Sequence, residues 1–435
     1  MFGARGRSIP GAGPPAGEYG ARSRRRPVAW ATRSADDNDM TSSEISPRHV
    51  VVAGGGVAAL EATLALADLG QGRLRLTVVA PDDAFHVRAM TVAMPFEAVE
   101  PVRVPLDQAL ERVDAEHRRA TITGVDAERR IVRCSDGDEL GYDALLVATG
   151  ATQRAAYPEA VTFLDTDPDA LRAVLRRIER FDCTALAIVV PPSGSWPLPA
   201  YELALMTVHL AFDAGYDDLP VHLVTPERIP LELFGQTASA AVGEVLRMAG
   251  ISLHTSAQVA AVEPGATIVI EPGPWRLGVE QVVALPAIDG RPIPGLPANA
   301  RGFIPVDEQN RVLGVNDVYA AGDVTSYPVK HGGLAALQAD AAAADIAARA
   351  GAPVAVAPFR PVLRGMLFTG GRPQFLRHEL TAGPAAQSTV SPDPLWMPAT
   401  KVPGRYLSPL LVDAVAEKRR AHGLAVDVAL PAASS

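Results

Sequence analysis

Gly54, Gly55 and Gly56 interrupt the apolar run His49–Ala53 and lead directly into Val57, Ala58, Ala59, Leu60 and Glu61. That order of strand, glycine turn and helix is chemistry for phosphate. Gly54 permits a tight turn, Gly56 lets backbone approach a pyrophosphate, and Ala59 keeps helix and strand close, while free helical N–H groups face the anion. Alone, the pattern also suits an ordinary glycine-rich loop. A second constellation lies far downstream, where Gly322 and Asp323 are followed by Lys330, His331, Gly332, Gly333 and an alanine-rich run to about Ala350. A cation and two glycines at a helix start favour negative charge, and an imidazole beside them can relay a proton. A solvated lysine and a structural histidine are the plainer alternatives.

Strands must carry both constellations. Tyr142–Gly150 reads as a buried strand ending in the small turn Thr149-Gly150, preceded by Arg130–Gly137, whose Asp136-Gly137 is a hairpin signal. Asn316–Ala321 is another strand, stopping at Gly322-Asp323. Taken in order, these three segments resemble the pyridine nucleotide-disulfide oxidoreductase superfamily, the flavoproteins with two dinucleotide-binding domains, over residues 48 to about 350. The resemblance implies bound FAD. Gly54, Gly55, Gly56, Val57, Ala58 and Ala59 then form the pyrophosphate loop, Thr149 and Gly150 the strand-end turn, and Gly322-Asp323 the grip on the ribityl or phosphate portion. It further implies that Lys330 and the N–H groups at Gly333 face the isoalloxazine ring, where they would raise its reduction potential. His331 becomes a proton relay and Glu202, starting a helix on the same cleft, a proton carrier. Asp82, just past the second strand, is the expected ribose partner, with a solvated loop acid as its rival. Glu61 also matches the superfamily's pattern, or is a helix-start carboxylate. In the aromatic, basic segment Phe85–Met90, Arg88 is the expected contact to phosphate or ring.

The implied fold is α/β: two Rossmann-like domains, the FAD domain discontinuous (48–160 and 286–351), the second inserted (161–285), and a C-terminal cap (352–435). Thr184–Val190 and Val221–Val224 should be strands of the inserted domain. Its phosphate turn departs from the family pattern. Pro191, Pro192, Pro197 and Pro199 surround a single Gly194, and Trp196 adds bulk where a pyrophosphate would lie. Prolines donate no N–H. NAD(P)H therefore remains open as a donor but fits poorly. Tyr201-Glu202, Thr225-Pro226-Glu227 and Leu233-Phe234-Gly235 resemble the sulfide:quinone oxidoreductase branch, near the type II NADH dehydrogenases. Cys134 and Cys183 are the only cysteines, and neither is placed for a disulfide relay. The expected activity is electron transfer from a small reduced donor through flavin to a quinone or similar acceptor. An NAD(P)H-dependent flavin dehydrogenase and a non-catalytic flavin redox sensor are the alternatives.

Composition agrees. The chain has 435 residues, 48% hydrophobic, with net charge −9, long enough for two or three domains. Seven arginines and five acids give residues 1–47 a charge of +2, leaving −11 on the rest. An acidic body argues against nucleic acid as partner. The first 47 residues lack apolar periodicity and read as a disordered basic tail without a signal peptide, and Met40 reads as an alternative start. No apolar stretch reaches the roughly 18 residues of a spanning helix, so the protein is expected to be soluble or at most peripheral at a membrane's inner face, and having only two cysteines suits a reducing cytoplasm. Near the end, Ser408 and Pro409 read as N-cap and first helical residue. Leu407, Leu410, Leu411, Ala414 and Val415 then make an apolar face for core packing, a homodimer contact, or a membrane foot, in that order.

Overall fold

The computed structural model describes residues 46–421, other than 98–102, 165–166, 168, 193–194, 274 and 381–386. Most of the tail, and Ser193 and Gly194 of the proline-rich turn, lie outside the described residues. Seven α-helices lie among the described residues: α1 (Val57–Gly70), α2 (Leu106–Glu111), α3 (Asp169–Glu179), α4 (Leu198–Asp213), α5 (Gly235–Met248), α6 (Gly332–Arg349) and α7 (Leu407–Ala421).

Two five-stranded sheets organise the chain. In the first, the strands run Val318–Ala320, Ala144–Val147, Arg48–Ala53, Leu74–Val79, Ala115–Arg118, all parallel. Val50, Val51, Val52 and Ala53 are fully buried, as expected of a parallel strand covered on both faces. One face is covered by α1 and α6. Their contact is built from small side chains, Ala58, Ala59, Ala62 and Ala65 against Ala335, Ala339, Ala342 and Ala343. The sheet's C-terminal edge, where ligands of such sheets bind, is thereby flanked by the starts of two helices.

The second sheet is also parallel, in the order Val161–Thr162, Gln281–Ala284, Leu186–Val189, Val221–Val224, Ser252–His254. An antiparallel meander spanning Gln258–Gly278 covers one face through Val259, Ile268 and Ile270. Farther on, Val362–Leu367, Gln374–Glu379 and Ser388–Ser391 form a three-stranded antiparallel sheet. Asp136-Gly137 does turn a hairpin, between Ile131–Cys134 and Glu139–Gly141. Among the described residues, no helix is long and apolar enough to cross a membrane.

The start of α7 departs from the expected pattern. Ser408 is not its cap: the hydroxyl accepts from the Gly404 N–H at 2.9 Å. The capping group comes from α1 instead, where the fully buried Glu61 accepts the backbone N–H groups of Tyr406 and Leu407 at 2.9 and 2.7 Å. A local signature is overridden because a carboxylate offers two acceptors and favours a helix N-terminus. Leu407, Leu410 and Leu411 are buried in the core around α1 and α6, with Ala414 partly buried beside them, so core packing accounts for most of α7's apolar face, while Val415 stays 38% exposed.

Asp340 of α6 hydrogen-bonds Glu61, and burial together with Glu61's charge pushes its carboxyl up to about 8. A carboxyl whose folded pKa exceeds its unfolded value holds its proton at a stability cost that grows as pH climbs towards the folded value. Asp340→Asn keeps a donor to Glu61 without the titration. Its melting temperature should fall less than wild type's between pH 5 and pH 8.5, the stability difference behind that gap being about 2 kcal/mol. Parallel melting curves would reject the shared proton.

Candidate cofactor site

The first glycine turn closes on its own sheet. Gly54 has φ +133°, and a Cβ there would lie 2.2 Å from the Ala148 carbonyl oxygen; its N–H donates to Val79 O at 2.8 Å. Only glycine lets two strand ends approach so closely. Gly56 differs in kind: it is exposed, and a Cβ would meet nothing within 4 Å. As N-cap of α1 it supplies no side-chain acceptor, so the helix's first N–H groups are left for a ligand.

Beside this turn stands Thr149, whose Oγ1 is buried with no hydrogen-bond partner. Gly322 enters from the other side, since a Cβ on it would lie 3.2 Å from Ala58 Cβ and 3.4 Å from Ala335 Cβ. Gly54, Thr149, Gly322 and the N-termini of α1 and α6 thus gather at one sheet edge. Open backbone at Gly56, uncapped N–H groups and an orphaned hydroxyl fit the FAD that the glycine pattern implies.

Lys330 is no solvated lysine. Its Nζ donates to the carbonyls of Thr325 and Tyr327, the latter at 2.9 Å, and lies 3.8 Å from the centre of the Phe303 ring. Burial pulls its pKa down to about 8, against the supporting charge of Asp323. The ammonium therefore stays charged at neutral pH and ties down the loop after Asp323. His331 is held more tightly still. Its Nδ1 accepts the Leu334 N–H at 3.3 Å as N-cap of α6, and burial lowers its pKa to about 4. A neutral, capping imidazole is a poor proton relay near pH 7. Its ring lies 4.7 Å from that of Trp196, the residue expected to fill the second phosphate turn. Gly333, beneath that ring, is buried in the first turn of α6.

Glu202 is fully buried. Oε1 accepts from Lys401 Nζ and from the Phe368 N–H at 2.9 Å, while Oε2 is buried without a partner. The sequence did not single out Lys401. Glu227, which follows Val221–Val224 of the second sheet, is occupied by its own neighbours: Tyr201 OH donates at 2.7 Å, Thr225 Oγ1 at 3.0 Å and the Glu232 N–H at 3.1 Å. Asp82 and Arg88 lie exposed on the segment beyond Leu74–Val79. That strand is followed by buried Ala80, whose carbonyl accepts from His117. Cys134 and Cys183 are both free and buried, and burial raises both thiols, which makes them poor nucleophiles.

The family described as pyridine nucleotide-disulphide oxidoreductase matches residues 49–351. An NADH dehydrogenase-like protein of Mycobacterium tuberculosis is 28% identical over 298 residues, 64% of this chain and 73% of that one. The sulfide-quinone reductase of Aquifex aeolicus is 28% identical over 165 residues, 37% of this chain and 38% of its own. Among solved structures, the sulfide:quinone oxidoreductase of Aquifex aeolicus superposes with TM-score 0.68 at 18% identity, covering 79% of this chain and 87% of that one. NDH2 from Plasmodium falciparum gives 0.52 at 16% identity, covering 64% of each. The family match runs from the strand that opens the first sheet, through the second sheet, to the end of α6: the chain belongs to the pyridine nucleotide-disulphide oxidoreductase family, whose members bind FAD.

Proposed function

We propose that the protein is an FAD-dependent oxidoreductase that takes electrons from a small reduced donor other than NAD(P)H and passes them to a quinone or similar acceptor. The observation that carries this reading is the state of the second phosphate turn. Pro197 caps α4 with no side-chain acceptor, Pro199 removes a further N–H from its first turn, and Trp196 is engaged with His331 and Phe234. Glu227, the acid after Val221–Val224, already accepts from three groups of its own surroundings. Among the described residues of this turn, little is left to bind a second pyrophosphate or its ribose.

Bound FAD would supply the capacity to accept and release an electron pair. The chain's own residues do the rest. Gly54, Gly55, Gly56, Val57, Ala58 and Ala59 seat the pyrophosphate, and Thr149, Gly150 and Asp323 orient the cofactor. Lys330 and the N–H groups around Gly333 hold negative charge at the α6 end. Glu202 Oε2, the buried atom without a partner, is the carboxyl atom open to a proton. The two buried thiols support a route without a disulfide.

A second reading, NAD(P)H as donor, is favoured by the name of the Mycobacterium tuberculosis relatives. Anaerobic mixing of FAD-loaded protein with NADH, NADPH and sulfide in turn, then with a soluble quinone, separates the two. Rapid recolouring by quinone after reduction, with NADH and NADPH bleaching at least about 100-fold more slowly than turnover, is the expected result, the gap being about 3 kcal/mol of barrier. Fast bleaching by NADH would install the second reading. Slow responses to every donor, without turnover, would point to a redox sensor.

A further inference from the structure

We infer that Gln338 is the positioning residue of the cofactor turn, its side-chain amide setting the Gly322–Thr325 bend and, through it, Asp323 and Lys330. This rests on the FAD reading above and names a residue of that same site.

Gln338 lies in α6, 3% exposed. Its Oε1 accepts the Gly322 N–H at 2.8 Å, and its Nε2 donates to Thr325 Oγ1 at 3.3 Å. The Thr325 hydroxyl in turn donates to Gly322 O at 2.9 Å. The three bonds close a ring through the Gly322 peptide, the Gln338 amide and the Thr325 hydroxyl. The Thr325 carbonyl then takes Lys330 Nζ, so the same bend anchors the cation. Gly322 itself sits at φ +82°, wedged between Ala58 and Ala335. Asp323 follows that one residue, so its direction is whatever the bend dictates.

Only an amide satisfies both ends of this ring. Leucine would leave the buried Gly322 N–H without a partner. Glutamate keeps the acceptor for Gly322 but has no donor for Thr325 when ionised, and adds a negative charge. A buried glutamine that merely stitches α6 to the sheet is the competing explanation, and the structure provides its control. Asn310 Nδ2 donates to the backbone carbonyl of Gln338 at 3.2 Å without touching the bend. Asn310 has φ +63°, so Asn310→Gly deletes this link with no backbone strain.

FAD affinity of stripped protein, followed by flavin fluorescence, and melting of the stripped protein are the two readouts. Gln338→Leu should weaken FAD at least about tenfold. Asn310→Gly should lower the melting temperature yet bind FAD within about twofold of wild type. Gln338→Glu should bind FAD and shift its midpoint potential to more negative values, which keeps the idea open to refutation even where the leucine variant fails to fold. Equal loss of affinity in Gln338→Leu and Asn310→Gly, wild-type affinity in Gln338→Leu, or an unshifted potential in Gln338→Glu would overturn the assignment. Failure of wild type to take up FAD at all would instead remove the cofactor reading, and this inference with it.

Discussion

Lys401→Met should cost about 3–5 kcal/mol of folding stability, because it strands a carboxylate in the interior. Glu202 is fully buried and Lys401 is 9% exposed. Lys401 Nζ serves Glu202 Oε1 and the Met366 carbonyl and lies 3.8 Å from the Phe368 ring centre. Burial pushes the Glu202 carboxyl up and the Lys401 ammonium down, each opposed by the partner's charge. With the lysine gone the upward push is opposed only by the Phe368 N–H, so Glu202 takes a proton to stay folded. A carboxyl pKa raised in the folded state gives stability that is intact below the unfolded value and is lost as pH rises through the folded one. The variant should therefore lose more at pH 8 than at pH 5 in urea unfolding.

Glu202→Leu combined with Lys401→Met should recover most of that loss, since apolar replacement of a buried pair is often neutral. Single-variant stability equal to wild type would contradict the pair. The double variant also addresses the proton-carrier role proposed for Glu202. Wild-type turnover in the stable double variant would reduce Glu202 to a structural partner of Lys401, whereas a stable but slow one would support the carrier.

Contiguous chemistry was legible in the sequence, and paired chemistry was not. His49–Ala53 followed by three glycines announces strand, turn and helix because each residue's role is local, and the Asp136-Gly137 hairpin is local in the same way. Glu61 caps a helix 345 and 346 residues away, and Lys401 meets Glu202 across 199. No periodicity carries such information. Ser408 failed as a cap for that reason: its local signature was sound, but a distant carboxylate took the helix start. His331 was found by position, yet its protonation depends on burial against Trp196, which only packing reveals. Gln338 was invisible inside an alanine-rich run that reads as a plain core helix. Thr149 was placed by its strand, while its unpartnered hydroxyl became apparent only once its surroundings were fixed.

Gly54→Ala and Gly56→Ser should part company completely. At Gly54 the added methyl would sit 2.2 Å from the Ala148 carbonyl, at φ +133°. Neither backbone can yield without separating the central strand from its neighbour, so a loss of about 4 kcal/mol or more is expected. At Gly56 the space is open and φ is −90°, ordinary for any residue. Serine there can cap α1 through its hydroxyl, an effect of a few tenths of a kcal/mol in favour of the fold. The same hydroxyl would occupy the N–H groups that the pyrophosphate needs, and its Cβ would stand in the phosphate's path. Gly56→Ser should thus melt at or slightly above the wild-type temperature as stripped protein while binding FAD at least about 100-fold more weakly, roughly 3 kcal/mol. Thermal melts with titration of FAD give both quantities on one sample. A Gly56→Ser protein that binds FAD like wild type would show that the cofactor does not lie against this turn, and the open backbone at α1 would then need another ligand.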